Sequence, residues 1–112
     1  MDRNPNPYIP RTKSEIWDFL AHMMLSAPTF IDRTGYFADQ NIDTEFFALN
    51  EGLKAIRKQV GEEDYQKLVE LSVRMRGHFE ADPEDKTEDS LKGRDCILEM
   101  EDILRAAGRR TP

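Results

Sequence analysis

Glu62-Glu63-Asp64-Tyr65-Gln66-Lys67-Leu68-Val69-Glu70-Leu71-Ser72-Val73-Arg74-Met75-Arg76-Gly77-His78-Phe79 decides the fold class. Tyr65, Leu68, Ser72, Met75 and Phe79 recur at steps of three and four, with Val69 and Leu71 flanking them. That period places them on one stripe of an α-helix. The three acids at the start suit the positive end of a helix dipole. Asp82-Pro83 ends the run, because the residue before a proline is disfavoured in the helical region.

Upstream, the same pattern returns twice. A helix is predicted from Asp43 or Thr44, with Phe46, Leu49, Leu53, Ile56 and Val60 on one face and Gly61 as its stop. Phe47 falls about a quarter turn off that face. The short junction at Gly61 makes the helices before and after it an antiparallel hairpin. Another helix begins at Thr12, where Thr12 and Glu15 have capping-box spacing. Its buried face is Ile16, Leu20, Met23 and Ala27, widened by Trp17, Phe19 and Met24; Leu25 lies opposite, and Pro28 ends it. Residues 28–42 have turn signals at Thr34-Gly35 and Asp39-Gln40-Asn41. With Phe30, Ile31, Tyr36 and Phe37 they are too apolar for a floppy linker. They are either a lid on the helical core or a loop offering aromatic anchors to a partner. Ahead of all this, Pro5, Pro7 and Pro10 forbid helix and favour an extended arm.

Downstream, the acidic linker 82–89 leads into a helix from Ser90 to Ala107. Cys96, Ile97, Met100, Ile103, Leu104 and Ala107 share one face, and Asp95, Glu99 and Asp102 the opposite one. The expected fold is therefore all-α. It is a single-domain bundle of about four helices, with a long irregular loop between the first two. Residues 1–11 form the arm, 12–108 the helical domain and 109–112 a tail. A chain of 112 residues and 13.0 kDa fits one modest core. No secretory signal opens it, no apolar run is long enough to span a bilayer, and Cys96 stands alone. A cytoplasmic protein is the default expectation.

Few residues invite chemistry. His22 has only Asp18 near it in sequence and His78 reads as a surface residue, whereas a zinc site wants three or four converging ligands. The alternate acids Asp82, Glu84 and Glu88 are interrupted by Lys86, and Gly93 falls where a calcium loop needs its glutamate. Glu-x-x-His pairs are missing, and so are a phosphate loop and a nucleophile elbow. Cys96 reads as a small core residue of low reactivity. No metal, cofactor or catalytic residue is expected, and the chain is not expected to be an enzyme. If the two helices of the hairpin pair, Lys54, Arg57 and Lys58, with Arg74 and Arg76, could form a modest positive patch near their shared end, read as a salt-bridging surface or as the counterpart of the acidic segment in self-association. On a molecule of net charge −6 that patch argues for neither nucleic acid nor membrane as partner.

Charge is the remaining signal. Glu80 to Asp102 holds ten acidic residues against three basic ones, so almost the whole net charge resides there. Asp95, Glu99 and Asp102, with Leu98 beside them, form a candidate surface for a basic partner protein, and Tyr36 and Phe37 are further candidate anchors. The leading expectation is a small acidic protein-binding module, an inhibitor of the immunity or antitoxin kind, steered electrostatically to a basic surface. Two alternatives from other classes are a structural or regulatory homo-oligomer, and a small-ligand-binding domain or enzyme with a pocket under the aromatic loop.

Overall fold

A computed structural model describes residues 9–31 and 40–109, with side chains through Ala107. The described residues are all helix and connection. Five helices follow in order: α1 (Lys13–Ser26), α2 (Ile42–Ala55), α3 (Arg57–Val60), α4 (Glu62–Ala81) and α5 (Glu88–Arg109). None is long and apolar enough to cross a membrane.

Five rather than about four arises because the helix predicted over 43–60 is two. Its ladder opens at Ile56, where ψ is 7° and one backbone N–H is shared between the carbonyls of Gly52 and Leu53. The single turn of α3 then keeps both Ile56 and Val60 buried against the core. No glycine or proline marks the bend at that position, so it is set by packing rather than by local sequence. The start of α2 also moves, to Ile42. Asn41 Oδ1 accepts from the Thr44 amide at 3.0 Å, and Thr44 Oγ1 accepts from the Asn41 amide at 2.9 Å, a reciprocal cap. Thr12 caps α1 as expected, accepting from the Glu15 amide at 3.0 Å. Glu15 itself reaches back one residue further, to the Arg11 amide.

The hairpin is antiparallel. Asp43 meets Arg76, Asn50 accepts from Ser72 at 2.8 Å, and Arg57 holds Glu62 in a two-pronged pair at 2.7 Å. This order corrects the basic patch. Lys54, Arg57 and Lys58 lie by the start of α4, while Arg74 and Arg76 belong to its later half, so the two groups share no end. Three of the five cations are also engaged: Lys54 with Glu51, Arg57 with Glu62, and Arg76 with Asp43 and Glu80.

The core runs through all five helices. Ile16, Leu20 and Met23 of α1 meet Leu49, Leu53 and Ile56, then Leu68, Met75 and Phe79, then Ile97 and Met100 of α5. Each large side chain buried in this way contributes roughly 1.5–3 kcal/mol. From the connection after α1, Phe30 is fully buried. Its ring stands edge-on to Phe46, at 5.7 Å between centroids, and to Phe79, at 5.4 Å. Packing holds its backbone at φ 62°, and Gln40 donates to its carbonyl at 2.7 Å. Tyr36 and Phe37 lie outside the described residues. The inner end of the arm is seated too: Pro10 is buried against Gly52, where a Cβ would stand 2.7 Å from the proline carbonyl oxygen.

Candidate functional site: the outer face of α5

An amphipathic helix buries one stripe and leaves the other to water. In α5 the buried stripe is Ser90, Gly93, Cys96, Ile97, Met100 and Leu104. Opposite it, Asp95, Leu98, Glu99 and Asp102 are all exposed, so the structure brings four of the six sequence-predicted site residues onto one face. The other two, Tyr36 and Phe37, are outside the described residues. The sequence reading missed Leu91. It is 60% exposed, against 49% for Leu98, and stands seven residues before it on the same line. That seven-residue repeat of leucine was the signal available.

Three attachments fix α5 in place. At its start, the Asp82 carboxylate accepts from the amides of Lys86 at 2.8 Å, Thr87 at 2.9 Å and Ser90 at 3.3 Å. Burial of Asp82 works against its charge. The Lys86 and Thr87 amides, with Ser90 and Thr87, outweigh that and hold the carboxyl well below the usual range. In the next turns, Arg94 bridges the Asp85 carboxylate and the Ala27 carbonyl, joining α5 to the end of α1. Near the far end, the Arg105 guanidinium lies 5.3 Å from the centroid of the Trp17 ring.

The acids of residues 80–102 are not one uniform field. Glu80 pairs with Arg76, Glu84 with Lys86, Asp85 with Arg94, Asp89 with His78, and Asp102 with Arg105. Asp82 is consumed by backbone amides. Glu101 is half-buried, and desolvation pushes its carboxyl up, with Arg105 opposing and Asp102 adding to the shift. Among the described residues, Glu88, Asp95 and Glu99 enter no ion pair. The free negative charge is therefore concentrated on the outer face of α5, between and beside the two exposed leucines.

Both histidines gain partners that sequence proximity did not offer. His78 Nδ1 is 3.0 Å from Asp89, across the turn between α4 and α5. His22 Nε2 on α1 is 3.3 Å from Oε1 of Glu45 on α2. Glu45 is buried, and among the described residues that oxygen has no well-directed hydrogen bond. Burial pushes the Glu45 carboxyl above its ordinary value, and His22 offsets part of the shift. Cys96 is buried beneath the acidic face. Desolvation raises its thiol, with Arg74 opposing and Glu99 and Asp95 reinforcing. Such a thiol is a poor nucleophile.

What this face can do chemically is bind: carboxylates attract cations, and leucines gain by leaving water. Comparison with models of protein families, with curated proteins and with solved structures found no match for this chain.

Proposed function

We propose that the chain is a small protein-binding module that occupies a basic surface of another protein through the outer face of α5. One observation carries this: Asp95 and Glu99, free of ion pairs among the described residues, stand beside Leu91 and Leu98, both about half exposed or more. Unpaired carboxylates accelerate encounter with a basic partner, and apolar groups slow departure once water is expelled. An inhibitor of the immunity or antitoxin kind is the form of module this suits, since an acidic face complements the basic surface it would cover. Capture of native proteins on the immobilised chain, eluted stepwise with salt, tests the proposal against the variant Asp95→Lys, Glu99→Lys, Asp102→Lys. The expected result is a basic protein held in stoichiometric amount by the native chain, released by salt and not held by the variant. Equal retention by both chains would refute it.

A further inference from the structure

Building on the proposed basic partner, we infer that the outer stripe of α5 is a seam for a basic amphipathic helix of another protein. Glu88, Leu91, Asp95, Leu98, Asp102 and Arg105 follow one another at alternating steps of three and four. That is the spacing of a helix line that stays against a second helix crossing at about 20°. Over these residues the line is about 25 Å long at about 1.5 Å per residue. An extended strand, whose side chains alternate every two residues, cannot follow it.

The content of the line selects the partner. Acids occupy one of the two seam positions at 88, 95 and 102, and leucines the other at 91 and 98. A second copy of α5 fits badly in either direction. Side by side in parallel, Asp95 would face Asp95 and Asp102 would face Asp102. Antiparallel, each leucine would face an acid. The parallel arrangement takes carboxylates out of water with no cation to meet them, and the antiparallel one matches only Glu88 with Arg105 at its two ends while Asp95 and Asp102 are buried against leucines. A helix with lysine or arginine opposite the acids and apolar residues opposite the leucines satisfies the five positions from Glu88 to Asp102. Arg105 at the end of the line is held within the fold by Asp102 and the Trp17 ring. Arg105 already shows the pairing in miniature, holding Asp102 at 2.9 Å. Because the Asp82 amide contacts and Arg94 fix α5 to the rest of the fold, the seam is pre-formed and little ordering is lost on binding.

Two synthetic peptides of identical composition test this. Each has three heptads with a leucine line. In one, lysines alternate with the leucines along the seam; in the control, the lysines are moved to the opposite face. Each is titrated into the isotopically labelled full chain, with backbone amide shifts as readout. The seam peptide is expected to move the amides of residues 88–105, with a Kd on the order of 10–100 μM at low salt. The control should bind at least about tenfold more weakly. The variant Asp95→Lys, Leu98→Ser should lose the interaction while its helical circular dichroism stays unchanged. Equal binding of the two peptides, shifts centred elsewhere, or undiminished binding by the variant would overturn the seam. The basic-partner proposal would then still stand or fall on the capture experiment. Shifts of residues 88–105 that appear on concentrating the chain alone would assign the seam to a second copy, and would overturn the inference as well.

Discussion

At Gly77 in α4 and Gly93 in α5, the same one-methyl change should have opposite effects. A Cβ at Gly77 would meet nothing within 4 Å, so alanine there only restricts the unfolded chain and improves helix propensity. Gly77→Ala should stabilise the protein by about 0.5–1 kcal/mol. A Cβ at Gly93 would stand 2.5 Å from Cε1 of Phe79, and that ring is fully buried against Phe30. Overpacking of about 1–3 kcal/mol outweighs the propensity gain, so Gly93→Ala should destabilise. Urea midpoints of the two variants decide the point; movement in the same direction would mean that Phe79 does not pack on α5 at Gly93. Glu45 supports a second prediction at this scale. Its folded carboxyl is raised by burial, with His22 opposing, while the unfolded chain has the ordinary value. Between the two values the folded state holds a proton that the unfolded state has released. Stability therefore falls as pH climbs through that window, and it stays lowered above it. Glu45→Gln removes the penalty. Thermal midpoints should place the variant above the native chain at pH 7, with the gap closing below about pH 4. A variant less stable at pH 7 would mean that the His22 contact outweighs desolvation.

Among the elements, α5 is tied to a residue six positions before its start, Asp82. Asp82 supplies the acceptor for the amides that lead into its first turn, which helix geometry would otherwise leave without partners. Its pKa is depressed in the fold, the opposite sign to Glu45, so its contribution is present above the ordinary aspartate value and is lost as pH falls below it. Asp82→Asn should lower the thermal midpoint by several degrees at pH 7 and by progressively less below about pH 4. Hydrogen exchange should quicken first at residues 86–92. An unchanged midpoint with unchanged exchange would show that Thr87, whose hydroxyl accepts from the Asp89 amide, caps the helix without it. The carboxylate's role was hidden in the sequence, where Asp82 was one acid of a run and its burial unforeseen. The helices themselves were legible, because spacing such as Tyr65-Leu68-Ser72-Met75-Phe79 fixes both helix and buried face. The bend at Ile56 was not, since no glycine or proline announces it there and the choice is made by contacts with α4 and α5. Asn41 was overlooked as a cap because Asp43 and Thr44 offered the same chemistry two and three residues on. Phe30 left both a lid and an exposed anchor open, and only the two facing rings decide for burial.

Across the whole molecule, the sequence revealed how much charge there is but not how much of it is free. Partners three or four residues away were readable, as for Arg105 with Asp102 and Arg76 with Glu80. Those joining distant elements were not: Arg94 with Asp85 and with Ala27, Arg76 with Asp43, His78 with Asp89. Subtracting all of them leaves, within residues 80–102, the outer face of α5 as the place where Glu88, Asp95 and Glu99 sit together outside any ion pair, with Lys92 the exposed cation beside them. Asp95 and Glu99 are four residues apart on one helix, a spacing at which equal charges repel by about 0.2–0.5 kcal/mol. Removing that repulsion should help the fold in isolation. We therefore expect the double variant Asp95→Asn, Glu99→Gln to be slightly more stable than the native chain, by about 0.2–0.5 kcal/mol at low ionic strength. The advantage should shrink as added salt shortens the Debye length from about 30 Å at 0.01 M to about 10 Å at 0.1 M. Urea unfolding at these two salt concentrations measures both. A loss of stability would instead mean that the pair is satisfied by contacts within the fold, and the case for an external cation would weaken. A gain, with weaker binding to the lysine seam peptide, would show carboxylates that cost the monomer stability and are offset only in the complex.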